Sequence, residues 1–150
     1  MKKAVSLLLA LVLCLGLCAC SNAESTSQFV GTYEDKYEIT EYYKLYIYDN
    51  LVHHISCKKV LTLNDGGTGT FKTTATSAGE HYQVGDIVEE GTVTWMAEGD
   101  YITITYKGFR YKKDYGNNTT ELIDHTSTYE KKAGTLHTTA SGILAYTKIG

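Results

Sequence analysis

GTVTWMAEGDYITITY, at residues 91–106, carries the clearest structural signal of the chain and holds its only tryptophan, Trp95. On each side of the polar segment 97–100, apolar and polar side chains alternate with a period of two. This period is typical of a half-buried β-strand, and the Glu-Gly-Asp sequence between the two arms favours a tight turn. The stretch therefore predicts a β-hairpin whose buried face includes Trp95, Ile102 and Ile104.

The rest of the chain after residue 28 carries further β signals. Alternating segments rich in threonine, tyrosine and β-branched residues are separated by turn sequences such as NDGG at residues 64–67, and the chain has no proline. No helical period follows residue 28. Because a single hairpin is marginal in water, we expect these segments to pair with one another. We predict an all-β fold, with about eight to ten short antiparallel strands spaced as in a sandwich or barrel.

Residues 1–19 have the pattern of an export signal. Lys2 and Lys3 form a positive head, and the apolar run that follows is too short for a comfortable membrane-spanning helix. The sequence LCAC at residues 17–20 resembles the lipobox of bacterial lipoproteins. The resemblance implies cleavage before Cys20 and acylation of its thiol and of its new amino group. The alternative is an ordinary secretory signal that happens to contain cysteines.

Cleavage before Cys20 predicts three segments: a signal peptide at 1–19, a lipidated cysteine with a flexible tether at 20–28, and one β domain at 29–150. The mature chain has 131 residues, and loss of the two signal lysines changes its formal charge from −3 to −5. This length suffices for a core, and such an acidic chain is a poor partner for nucleic acid. We expect an extracytoplasmic protein held on a bacterial membrane by the lipid on Cys20.

The mature chain keeps one other cysteine, Cys57, so no intramolecular disulfide can form. Cys57 shares a strand face with Ile55. We expect a buried and inert thiol, because buried cysteine behaves as a small hydrophobic residue; a reactive thiol is the alternative.

Several short motifs together resemble the bacterial lipocalin-like lipoprotein domains, which are small relatives of the calycin barrels. The motifs are GTY at 31–33, LTLNDG at 61–66, GTVTW at 91–95, GDYITI at 99–104, GTL at 134–136 and YTK at 146–148. The resemblance implies an antiparallel up-and-down barrel over most of the chain after residue 28. It implies no site residues, because members of this family mostly lack a known ligand.

We find no catalytic or metal-binding pattern. His53 and His54 are adjacent on a predicted strand and therefore point to opposite faces, and the tight cysteine and histidine spacing of zinc sites is absent. The glycine-rich segment 65–69 lacks the helix and the Lys-Ser/Thr pair of a phosphate-binding loop. We predict no catalytic residue, no metal and no cofactor, and we do not expect an enzyme.

Residues 107–118 interleave basic and aromatic side chains. We interpret this segment as a solvated loop or an edge strand, where lysine also blocks aggregation. Binding of an anion or of an aromatic ring is the alternative. The residues concerned are Lys107, Phe109, Arg110, Tyr111, Lys112 and Lys113.

Two binding functions remain. The first is binding of a small apolar or aromatic molecule inside the barrel, in a cavity of about several hundred Å³ lined by Trp95, Ile104 and the neighbours of Leu45. In this hypothesis Trp95 contacts the ligand.

The second function is that of a closed barrel that recognises a protein or a glycan on its outer surface. It rests on tyrosines that share one face of the segment 37–48, namely Tyr42, Tyr46 and Tyr48. The high β propensity of tyrosine explains the same residues without any binding role.

Overall fold

The structure is a computed structural model that describes residues 26–43, 51–114 and 117–150. The strands in these ranges are β1 (Gly31–Tyr43), β2 (Leu51–Asn64), β3 (Thr68–Ala75), β4 (Ile87–Glu98), β5 (Tyr101–Asp114), β6 (Asn117–Lys132), β7 (Thr135–Thr138) and β8 (Leu144–Lys148). Each strand pairs antiparallel with the next, and β8 pairs with β1 to close a barrel. Within these ranges no helix is long and apolar enough to cross a membrane. The predicted all-β, antiparallel up-and-down barrel is therefore confirmed.

The hairpin predicted from residues 91–106 is formed by β4 and β5. Trp95 lies directly opposite Ile104 in the register of the two strands. The turn between them contains Gly99, whose φ of 60° falls in the left-handed region that glycine adopts without a Cβ penalty. Trp95, Ile102 and Ile104 are buried and Thr94 is exposed, so the alternation in sequence corresponds to the inside and outside of the barrel wall.

One half of the barrel interior, here called the packed half, is filled by side chains. Phe29 is fully buried at the end that carries the β4–β5 turn, and its carbonyl accepts a hydrogen bond of 2.8 Å from the Tyr33 hydroxyl. Lys131 Nζ lies 5.4 Å from the centroid of the Phe29 ring, within the range of a cation–π contact. The segment before β1 thus closes this end. The buried cluster consists of Phe29, Tyr33, Leu61, Leu63, Phe71, Val93, Trp95, Ile102, Ile104, Tyr106, Ile123, Tyr129, Leu136 and Tyr146.

Two glycines face each other across β4 and β5 at the limit of the packed half. Gly91 and Gly108 are register partners. A Cβ on Gly91 would lie 2.6 Å from the Gly108 Cα and 2.8 Å from Phe71 Cε1, closer than real Cβ contacts allow. Gly91 therefore leaves room for the Phe71 ring where the core ends, and a Cβ on Gly108 would meet the backbone of β4.

Most of the basic and aromatic segment 107–118 belongs to the barrel wall. Residues 107–114 continue β5, which pairs with β4 as far as Arg110 and with β6 as far as Asp114. Our interpretation of this segment as a solvated loop or an edge strand is wrong for residues 107–110, which pair with β4 on one side and with β6 on the other, whereas residues 111–114 pair with β6 alone and form an edge. The inward period of β5 instead continues from Tyr106 to Arg110.

Candidate binding cavity

A cavity of about 710 Å³ occupies the half of the barrel interior beyond the packed half. β7 and β8 have only 4 and 5 residues, whereas β5 and β6 have 14 and 16. The barrel wall is therefore shorter at β7 and β8 than at β5 and β6, and the cavity is open to solvent. Its lining is mixed, with charged and aromatic side chains that include Asp35, Tyr37, Lys59, Tyr82, Glu89, Arg110, Tyr129 and Tyr146.

Five inward positions form a single register row across β1 to β5, here called the charged belt. Each member pairs with the next: Asp35 with Lys59, Lys59 with Thr73, Thr73 with Glu89, and Glu89 with Arg110. The belt lies two residues along each strand from the row that contains Tyr33, Leu61 and Phe71, so it shares the inward face of the core. The charges of the belt alternate in sign, with the neutral Thr73 in the middle.

Glu89 is the centre of the charged belt. It is only 4% exposed, and its Oε2 lies 3.2 Å from Lys59 Nζ, while its Oε1 accepts a hydrogen bond from Arg110 Nε at 2.7 Å and lies 2.6 Å from Arg110 Nη2. Burial alone would raise the pKa of Glu89, but the charge of Lys59 and the hydrogen bond and charge of Arg110 hold that pKa below its ordinary value. Glu89 is therefore a carboxylate at neutral pH.

The pKa of Arg110 lies above its ordinary value. Burial alone would lower that pKa, but the hydrogen bond and the charge of Glu89 raise it. The side chain of Arg110 remains 47% exposed although its carboxylate partner is buried. Glu89 thus orients a guanidinium group whose other side is open to the cavity.

Asp35 lies at the opposite end of the belt, on β1. Burial raises the pKa of its carboxyl, and a backbone hydrogen bond at Lys36 and the charge of Lys59 act against that rise. Asp35 and Tyr37 bring an acidic and an aromatic side chain to the same wall of the cavity.

Tyrosines form the boundary between the packed half and the cavity. The Tyr106 hydroxyl lies 3.1 Å from the Tyr129 hydroxyl and 3.3 Å from the Tyr146 hydroxyl. Burial is the main reason that the pKa values of Tyr106 and Tyr146 are raised, so these hydroxyls stay protonated. The ring of His125 stacks on Tyr106 with a centroid distance of 4.9 Å. The boundary between the packed half and the cavity therefore carries aromatic rings together with hydroxyl groups.

A second apolar cluster lies farther toward the open end. It contains Ile55, Cys57, Ala75, Tyr82 and Val88, with Tyr37 and Ile39 packed against it. Cys57 is buried, as predicted, and burial raises the pKa of its thiol, which favours the inert form. Burial likewise raises the pKa of Tyr37 to about 12, although its hydroxyl contacts Thr73 Oγ1 at 3.5 Å.

The structure places the tryptophan away from the cavity. Trp95 is 4% exposed, belongs to the packed half and donates its Nε1 hydrogen to the Thr68 carbonyl at 3.0 Å. The cavity has the size that the sequence suggested, but Trp95 and Ile104 do not line it. Leu45 lies outside the described residues. Contact between Trp95 and a ligand would therefore require a site other than this cavity.

The other candidate residues are not placed by the structure. The backbone of Tyr42 belongs to β1 and pairs with Val52, but its side chain is outside the description. Tyr46, Tyr48 and Cys20 lie outside the described residues altogether.

Sequence reasoning missed the charged belt, although one signal could have located part of it. The period of two that runs through Ile102, Ile104 and Tyr106 reaches Gly108 and then Arg110. On β2 the same period runs from Leu61 to Lys59. The charged residues could therefore have been assigned to the inner face, but their meeting in one row depends on the strand register.

No group of three or more histidine, cysteine or acidic side chains that could hold a metal ion occurs in the described ranges. No protein-family model matches the chain. No curated protein and no solved structure is significantly similar to it. The closed antiparallel barrel is compatible with a lipocalin-like calycin fold.

Proposed function

We propose that this chain is a lipid-anchored extracytoplasmic lipoprotein whose lipocalin-like barrel binds a small molecule with an apolar or aromatic body. The observation that supports this function best is the open cavity of about 710 Å³ beyond a packed core. Small-molecule sites are typically clefts of about 300–1,000 Å³ with apolar and aromatic walls and a few placed polar groups.

The lining suits a ring-bearing ligand. Tyr129 and Tyr146 lie edge to face with their ring centroids 5.7 Å apart, and Tyr37 and Tyr82 contribute further rings to the cavity. Aromatic pairs in this geometry are attractive beyond the area that they bury. The packed half keeps these rings in place, so the site is largely formed before a ligand arrives.

Binding of indole, a neutral aromatic molecule, tests this function. The lipidated protein in detergent should give saturation-transfer NMR signals from indole above those of detergent alone. Ala145→Phe places a ring in the cavity, because Ala145 lines it, and should abolish the additional signal. Ala140→Phe is the matched control, because Ala140 is exposed in the turn before β8. Equal signals from both variants, or no signal from the unmodified protein, would overturn the proposal.

Mass spectrometry of the native protein provides a second test. A small molecule that is retained by the purified protein and lost from Ala145→Phe would support the cavity as the site.

The alternative function, recognition of a protein or glycan through Tyr42, Tyr46 and Tyr48, stays a prediction, since those side chains are outside the described part of the chain.

A further inference from the structure

The two ends of the charged belt lie on opposite sides of the barrel. Asp35 is on β1 and Arg110 is on β5, and in the closed order of eight strands three strands separate β1 from β5 in either direction. Both side chains line the cavity. The interior of an eight-stranded barrel is only about wide enough for side chains or one small ligand. A single small molecule can therefore reach both ends.

Charge balance within the belt leaves its ends most available to a ligand. Lys59 is held at 3.2 Å by Glu89 and also acts on Asp35, and Glu89 in turn is shared by Lys59 and Arg110. The two central charges are thus each shared by two neighbours. Arginine has five N–H donors, and Arg110 uses the one on Nε for its hydrogen bond to Glu89, with Nη2 at 2.6 Å from the same oxygen. The end groups therefore present an acidic and a basic side chain to the cavity.

The charges near the mouth do not change this polarity. Lys112 pairs with Glu121 and Lys113 pairs with Asp86, each at 2.5 Å. Glu41, the other inward acid on β1, lies on the same strand as Asp35. The β1 wall is consequently acidic and the β5 wall basic.

The remaining part of the cavity wall, between β5 and β1 through β6 to β8, carries aromatic rings and small side chains. His125 and Tyr129 on β6, Thr138 on β7, and Ala145 and Tyr146 on β8 lie there. A molecule placed against this wall would have one end near Arg110 and the other near Asp35.

We propose that the cavity binds a small zwitterion with an apolar or aromatic body, its anionic group at Arg110 and its cationic group at Asp35. This inference rests on the proposed function and specifies its ligand class. Opposite walls of the barrel call for charges farther apart than those of a single α-amino acid, as at the two ends of a dipeptide. Carboxylates match the fork of donors of a guanidinium, and an ammonium group matches a carboxylate.

Four compounds with one body test the charge requirement on the unmodified, lipidated protein by titration calorimetry. Glycyl-phenylalanine carries both charges, its N-acetyl derivative only the negative one, its amide only the positive one, and the N-acetyl amide neither. We expect the zwitterion to bind at least about tenfold more tightly than either singly charged compound, because each charged hydrogen bond is worth about that factor. Equal affinity of the zwitterion and either singly charged compound would overturn the inference.

Substitutions in the charged belt test which residue binds each charged group of the ligand. Arg110→Gln should abolish the preference for a free carboxylate and leave the preference for a free amine, and Asp35→Asn should do the reverse. Lys107→Gln and Asp124→Asn are matched controls, since both residues are exposed and are register partners on the outer face of β5 and β6. Controls that reduce discrimination as much as the belt variants would contradict the assignment.

The indole experiment separates the two proposals. If indole binds in the cavity but the four compounds bind equally, or none of them binds, the zwitterion inference fails and the proposed function stands. If indole gives no signal from the unmodified protein, the proposed function fails, and the zwitterion inference that rests on it fails too.

Discussion

Arg110 donates a hydrogen bond of 2.7 Å from Nε to one oxygen of Glu89 across the β4–β5 pair, and its Nη2 lies 2.6 Å from the same oxygen. Glu89 is almost fully buried, and Lys59 lies against its other oxygen. A buried carboxylate is tolerated only when cations and hydrogen bonds compensate its loss of hydration. The stability of the barrel and the shape of its cavity therefore both depend on this carboxylate.

Glu89→Gln removes the negative charge between Lys59 and Arg110, so these two like charges lose the carboxylate that they share. We expect a loss of about 2–4 kcal/mol in the free energy of unfolding, below the upper limit for a fully buried pair because Arg110 is half exposed. Urea denaturation at neutral pH measures this loss. Glu98→Gln, at an exposed turn position, is the control and should change stability by less than about 0.5 kcal/mol. Equal effects of the two substitutions would show that Glu89 is not a stabilising centre.

The pH dependence of stability gives an independent prediction. The pKa of Glu89 is lower in the folded protein than its ordinary value of 4.5, so its contribution is present above about pH 4.5 and is lost as the pH falls through the folded-state pKa. The stability difference between the unmodified protein and Glu89→Gln should therefore shrink below pH 4.5. The pKa of Asp35 is raised, so its contribution to stability changes with pH in the opposite sense. Because Asp35 is present in both proteins, that contribution cancels in the difference between them. Urea titrations between about pH 7 and 3 test this; a constant difference would contradict the assignment.

Trp95→Ala should cost about 3–5 kcal/mol, because it removes a large buried side chain from the packed half and leaves a cavity. Chemical denaturation measures the cost. Met96→Ala is the matched control: it is the next residue on β4, but its side chain is 75% exposed on the outer face, so we expect a change below about 0.5 kcal/mol. A near-neutral effect of Trp95→Ala would contradict its place in the core.

Local patterns were enough to predict the wall of the barrel. The alternation around Trp95 and the turn at Gly99 involve near neighbours in sequence, and the structure places both as expected. Closure of the barrel was expected from the family resemblance, and the pairing of β8 with β1 through Tyr33 and Lys148 agrees with it.

The charged belt could not be predicted in the same way. Its members come from five strands, and only the register of four strand pairs brings Asp35 and Arg110 into one row. Sequence reasoning also assigned charged residues to solvent, which is the usual outcome but does not hold inside an open cavity, where charges can pair and stay partly hydrated. For this reason the local sequence favours a solvated loop or an edge strand for the segment around Arg110.

Gly91→Ala should destabilise the barrel by roughly 2 kcal/mol or more, because overpacking forces the backbone or the Phe71 ring to move. The added Cβ would lie 2.2 Å from the Lys107 carbonyl oxygen and 2.8 Å from Phe71 Cε1. Gly99→Ala is the control: its surroundings are open, and only the left-handed φ of 60° opposes alanine, at about 1–2 kcal/mol. Thermal and urea unfolding compare the two. If Gly91→Ala loses less stability than Gly99→Ala, β4 and β5 accommodate a Cβ at residue 91 without a packing penalty, and the prediction is wrong.

Cys20→Ser tests the predicted lipid anchor. Acyl chains hold a protein to a membrane by about 0.8 kcal/mol per buried CH₂, so the loss of the acylated thiol should move the protein out of the detergent-rich phase. A bacterial host grown with an alkyne-tagged palmitate analogue should label the unmodified protein and not Cys20→Ser. Cys18→Ser is the matched control, because Cys18 lies two residues away and would leave with the signal peptide. Absence of label from the unmodified protein would assign the signal to ordinary secretion, and labelling that persists in Cys20→Ser would place the acyl chain on another residue.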